Sequence, residues 1–166
     1  MEFPLHADAT AGEPEFFVWP EADTSYMKLI WKYPSPKYPS GFHVLASRYH
    51  PIGDFDRPDI RLPDEPLRVY KTRNGFRVFF TGRHNPDLNT MFDELDFLGG
   101  DALYSKYARI RRYYAARIGP KEMPCPYPWA VCRLVGQTGK PLPEWERLIR
   151  FHDEKTNALA PGTFLV

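Results

Sequence analysis

Between Leu103 and Ile118 the chain carries five basic residues, Lys106, Arg109, Arg111, Arg112 and Arg117, interleaved with four tyrosines and no acid. Lys121 follows closely. Guanidinium groups fork onto phosphate oxygens and aromatic rings stack on bases, so this combination suits contact with a polyanion. Arg73 and Arg77, further toward the N-terminus, could extend such a site. The plainer account is a solvated helix face with tyrosines packed beneath it, which is what a charge run most often is. Other chemistry is thinly represented. His50, Asp54, Asp56 and Asp59 share a proline-rich stretch but match no cation-binding loop. Cys125 and Cys132 are seven residues apart and lack the close pairing of a structural zinc site. There is no glycine-rich phosphate loop, nucleophile elbow or zincin helix. His43, His84 and His152 have no partner that spacing predicts. No metal or cofactor is expected, and an enzyme is the weaker reading.

The elements that must position these residues read as an α+β chain. Glu15–Trp19 and Tyr26–Tyr33 are aromatic, branched segments that predict strands, and Gly41–Tyr49 predicts a third. Seven prolines between Pro34 and Pro66 interrupt that region. Leu67–Thr72 and Phe76–Thr81 flank Arg73-Asn74-Gly75, and Asn-Gly predicts a hairpin closed by a type I′ turn. A helix should follow, capped by Asn85, with Leu88, Met91, Phe92, Leu95 and Leu98 on one buried stripe and Gly99-Gly100 ending it. Asp101 should cap a second helix running from Ala102 to Ile118. In that helix Leu103, Tyr107, Ile110, Tyr114 and Ile118 make the expected core stripe, with Lys106, Arg109, Arg112 and Tyr113 solvated. Arg111 falls at the edge of the stripe, where it should snorkel outward or pair with Asp54, Asp56 or Asp59. Trp129–Val135 predicts a strand, and a last helix begins near Pro143 with Trp145, Leu148, Ile149 and His152 on its inner side. The expected fold is an antiparallel sheet with a central β-hairpin and about three helices packed on one face. The order hairpin, helix, strand also allows a ferredoxin-like arrangement.

Composition bounds the rest. The chain has 166 residues, 43% hydrophobic and 26% charged, enough for one domain with its own core. Residues 1–14 are small, acidic and aperiodic and read as a flexible segment ahead of a single domain over 15–166. The net charge of +1 is unevenly spread. Residues 1–66 carry six bases and eleven acids, residues 67–121 eleven bases and five acids, and residues 122–166 five of each. The basic middle could serve an anionic partner, or the acidic N-terminal part could fold over it. No apolar run is long enough to span a bilayer, so no membrane partner is expected. Two lone thiols and an N-terminus without the pattern of a secretory signal make the cytoplasm the expected location.

Gly100-Asp101, Leu103-Tyr104, Arg109, Tyr114, Ala116-Arg117-Ile118 and Pro120-Lys121 resemble a segment that recurs in an uncharacterised bacterial protein family. Val69-Tyr70-Lys71-Thr72 through Thr81, and Cys132-Arg133-Leu134 with the later His152-Asp153-Glu154, are also similar. The chain departs from that pattern at Ala115 and Gly119, where arginine and threonine are usual. The resemblance spans roughly residues 67–157 and implies no activity, but it points to Arg109, Arg117 and Lys121.

The leading expectation is therefore a non-enzymatic protein that recognises a polyanion, nucleic acid first, through Lys106, Arg109, Arg111, Arg112, Arg117, Lys121, Arg73 and Arg77. The alternative is a protein-interaction module, an adaptor or inhibitor of a larger complex, whose Tyr, Trp and Pro content suits a rigid contact surface. A third expectation is an enzyme on a phosphorylated small molecule, with Arg111 and Arg117 holding the phosphate near His43 or His50. Oligomeric state is left open.

Overall fold

The computed structural model describes residues 16–18, 28–32, 42–121 and 125–166. The expected N-terminal segment over 1–14 lies outside them. Among the described residues, ten strands and three α-helices follow in the order β1 (Phe16–Val18), β2 (Lys28–Lys32), β3 (Phe42–Ser47), β4 (Ile52–Phe55), β5 (Leu67–Thr72), β6 (Phe76–Phe79), α1 (Leu88–Phe97), α2 (Ala102–Arg111), β7 (Tyr114–Arg117), β8 (Trp129–Ala130), β9 (Cys132–Thr138), α3 (Glu146–Thr156) and β10 (Phe164–Leu165). Two four-stranded antiparallel sheets form, ordered β1-β2-β3-β7 and β4-β6-β5-β9, with a short parallel pair β10-β8 beside them. The expected α+β class, with a hairpin at the centre of an antiparallel sheet and three helices, is what the chain forms.

The hairpin β5-β6 closes by a different route from the one its Asn-Gly pair suggests. Neither Asn74 nor Gly75 takes a positive φ. Thr72 closes the loop instead: its N–H bonds the Gly75 carbonyl, and its Oγ accepts the Gly75 N–H at 3.1 Å. Gly75 is required for another reason, because a Cβ there would overlap the carbonyl oxygen of Phe55 at the end of β4. The glycine lets the edge strand cross tightly over the turn.

Residues directly opposite in a ladder share a face. In the β4-β6-β5-β9 sheet, Asp54, Arg77 and Tyr70 form one such row, and Ile52, Phe79 and Arg68 the next. α3 lies on this face: His152 packs edge-on against Tyr70 and Phe79 at 4.7 and 4.6 Å. Leu95 of α1 approaches Gly53, which faces the other way. The main core joins Leu45 of β3, Tyr114 and Ala116 of β7, Ile52 and Phe55 of β4, and side chains from all three helices.

α1 has the expected stripe, with Met91, Phe92 and Leu95 buried, but its cap is Asp87 rather than Asn85. The Asp87 carboxylate accepts the backbone N–H and the hydroxyl of Thr90. Asn85, with φ 53°, belongs to the turn before it.

The second helix is a larger departure. Asp101 caps α2 as expected, accepting the Tyr104 N–H at 2.9 Å. α2 then ends at Arg111, with Arg112 in the left-handed conformation at φ 63°, and Tyr114–Arg117 form a strand on β3. The reason is visible in the burial: Tyr114, Ala116 and Ile118 alternate inward at 0, 2 and 3% exposure. Tyr114 and Ile118 fit a helical stripe and a period of two equally well. The ladder with β3 adds the backbone pairing that decides between them, against a cost of order 1 kcal/mol for a non-glycine residue in the left-handed region.

Candidate functional site

α2 is seated on its small side. Ser105 and Ala108 are buried, and Tyr104 sends its hydroxyl between the sheets, donating to the Ile52 carbonyl at 2.8 Å and accepting the Ala115 N–H at 3.2 Å. With those residues inward, the stripe expected to be core turns outward. Leu103 is 59% and Ile110 64% exposed, and both Ala102 and Lys106 are exposed with them. At 100° per residue these four positions fill a single arc of about 100°. Phe97, the last residue of α1 and four residues short of α2, is 90% exposed. Tyr113, expected in solvent, is buried in a small cluster with Ala46.

The basic residues are distributed unevenly around this face. Arg109 bridges to α1, with Nη2 2.8 Å from Asp93 and 2.6 Å from Asp96. Arg112 donates to Asn89 at 2.6 Å. Arg111 lies half-buried over the Tyr107 ring at 4.9 Å, and burial holds its pKa below the usual arginine range despite the neighbouring Tyr113. Burial raises the pKa of Asp54, with Arg77 and Arg117 opposing the rise and Asp56 and Asp101 adding to it. Lys106 is exposed, with its ammonium 6.0 Å from the Tyr107 ring centre. Arg73 is exposed in the hairpin loop, and Lys121 is half-buried. Arg117 donates to the carbonyls of Gly119 and Val166 at 2.7 and 2.8 Å.

Arg77 lies elsewhere altogether. It is 6% exposed and forms the middle of a buried polar network under α3. Its Nη1 donates to the Arg117 carbonyl at 2.9 Å and to His152 Nε2 at 3.0 Å. A guanidinium only donates, so Nε2 must be the acceptor and Nδ1 carries the proton. That proton goes to Asp153 Oδ1 at 3.0 Å. Asp153 also accepts from the Tyr70 hydroxyl at 2.6 Å and from Arg68 at 2.5 Å. Burial drives the His152 pKa down to about 4, Arg77 adds to the effect, and the bond to Asp153 opposes it. Burial alone would raise Asp153, but its bonds from His152, Tyr70 and Arg68 outweigh this and hold it low.

The network includes Cys132, with Sγ 3.8 Å from His152 Nε2. Cysteine, histidine and aspartate in that order are the parts of a thiol nucleophile, yet the arrangement does not activate one. The Nε2 lone pair is already taken by Arg77, burial pushes the thiol pKa up, and both Cys132 and His152 are fully enclosed. These side chains hold α3 to the hairpin.

A second buried histidine serves the same kind of purpose. His50 Nε2 donates to the Glu144 carbonyl at 2.9 Å, so Nδ1 accepts the Ser47 hydroxyl at 2.7 Å. The Ser47 oxygen in turn accepts the N–H groups of Tyr49 and His50. Burial lowers the His50 pKa to about 4. This serine–histidine pair closes the β3–β4 corner and docks it on the turn before α3. Among the described residues, no three His, Cys, Asp or Glu side chains are placed to hold a metal ion. No helix among them is long and apolar enough to cross a membrane.

One strong ion-pair group had no signal in the sequence beyond its composition. Arg83 clamps two carboxylates, Glu65 at 2.6 and 2.8 Å and Glu94 at 2.5 and 2.7 Å, while its carbonyl accepts the Trp145 indole N–H. It joins the loop before β5, α1 and α3 in one contact set.

No family model, no curated protein and no solved structure matches this chain.

Proposed function

We propose that this protein is a non-enzymatic interaction module whose docking surface is the outward face of α2, with Leu103 and Ile110 as its apolar anchors. The observation that carries this reading is the exposure of those two side chains on a helix whose small residues face the core. Exposed aliphatic side chains occur singly on most surfaces, but two on one helical arc with Ala102 make a patch. The polyanion reading draws less support. Arg77 is buried, Arg117 is committed to carbonyl groups, and the Arg109 charge is met by Asp93 and Asp96.

The test is photocrosslinking in the native host from a benzophenone side chain at position 110, with position 140, also exposed, as the control. The expected result is a discrete protein adduct from position 110 alone. The purified partner should then bind this chain, and Ile110→Glu should weaken that binding by at least about tenfold. A nucleic-acid adduct, or none, overturns the proposal.

A further inference from the structure

We infer that the partner meeting this face is an acidic amphipathic helix from a different protein. The inference rests on the interaction reading above. Leu103 and Ile110 are seven residues apart, two helical turns or about 10.5 Å along the axis. Lys106 lies between them along the axis, about 50° to one side of the line that joins them. No carboxylate of the described residues pairs with Lys106, whereas Arg109 on the α1 side is neutralised twice. The face therefore reads apolar, positive, apolar along its length.

Three kinds of occupant compete for such a face, and the chemistry separates them. A second copy of this chain, related by a two-fold axis through the middle of the stripe, would set Leu103 against Ile110 of its mate. The same operation brings Lys106 against the other copy's Lys106, so the symmetric pairing sets like charges against each other. An extended strand gains most of its affinity from free backbone groups, and a helix face offers none. A nucleic acid draws its affinity from several phosphate contacts, and this arc carries a single cation, Lys106. A helix has its own backbone bonds satisfied and can lay apolar residues at i and i+7 over Leu103 and Ile110. A carboxylate at i+3 or i+4 then meets Lys106 on the flank of the contact, halfway along its length. A contact of two apolar side chains and one ion pair places the expected affinity near the micromolar range or weaker.

The probes are three labelled alanine-rich helical peptides with leucine at i and i+7. They differ only at i+3 and i+4, which are both Glu, both Gln or both Lys. Fluorescence anisotropy is read with the full chain, and circular dichroism confirms folding of every variant. The Glu peptide should bind best and the Lys peptide at least about tenfold more weakly. Lys106→Glu should reverse that order, and Ile110→Asp should abolish binding of the Glu peptide while leaving the fold intact. Equal affinities, an order unaffected by Lys106→Glu, or no binding by any peptide overturns the inference. If position 110 still crosslinks to a protein while the Glu peptide fails, the docking surface stands and the acidic-helix class falls. If both fail, both readings fall.

Discussion

Lowering the pH from 7 to 5 should destabilise this protein steeply, because it buries two neutral histidines. His50 and His152 each fall from a reference value of 6.5 to about 4 in the folded chain. A group whose folded pKa is depressed stays deprotonated in the native state while the unfolded chain takes up the proton. Its contribution is intact above pH 6.5 and is lost as the pH falls from there toward 4. Between pH 7 and 5, each histidine then costs about 2 kcal/mol, and the pair about 4 kcal/mol. Asp54 acts in the opposite sense: burial raises its pKa, so the folded state binds its proton more readily and recovers part of the loss. Asp153, held low, withdraws its contribution only below the usual carboxylate range, outside this window. The assay is urea unfolding at half-unit pH steps, followed by tryptophan fluorescence, to which Trp145, with its ring 4.9 Å from that of His50, contributes. His152→Gln should remove about half of the pH dependence, whatever it does to stability at pH 7. Unfolding free energies that stay level between pH 7 and 5, or a slope left undiminished in both His152→Gln and His50→Gln, would refute the reasoning.

Four further outcomes follow from single contacts. Tyr104→Phe leaves the Ile52 carbonyl and the Ala115 N–H without their partner and should cost about 1–3 kcal/mol by urea denaturation. Gly75→Ala forces the hairpin away from Phe55 and should cost at least about 1–3 kcal/mol, with lowered yield of folded protein as a second readout. Arg112→Gly relieves a left-handed backbone and should raise stability by about 0.5–1 kcal/mol; a loss of that size would argue that the Asn89 contact dominates. Arg109→Ala breaks two exposed ion pairs and should change stability by less than about 1 kcal/mol, a difference that 0.5 M salt erases.

Much of the fold can be read from local signals. The β5-β6 pair, the buried stripe of α1 and the start of α3 near Pro143 were marked by alternation, by i, i+3, i+4 spacing and by turn residues. The junction of α2 and β7 was not, because Ile110, Tyr114 and Ile118 are four apart and satisfy both periods. No glycine marks the helix end, since Arg112 itself takes the left-handed conformation. The turn of α2 to place Leu103 outward depends on Ser105 and Ala108, small residues that carry little weight in a hydrophobic pattern. Their significance appears only once the tyrosine hydroxyl of residue 104 is anchored. The partners of His152 were hidden for a related reason. Asp153 adjoins it in the chain, but Arg77 arrives through strand register, which no local spacing encodes.

The bridge made by Tyr104 gives α2 a mechanical consequence. The phenol stands where the β7 amide and the β4 carbonyl would otherwise face each other across the gap between the sheets, so one helix side chain completes a contact that belongs to the strands. The Ala115 amide proton can exchange with deuterium only when this hydroxyl withdraws. Its exchange rate is thus a gauge of how firmly the helix is seated. A load that tilts α2 away from the body must uncover that amide first, before the main core opens.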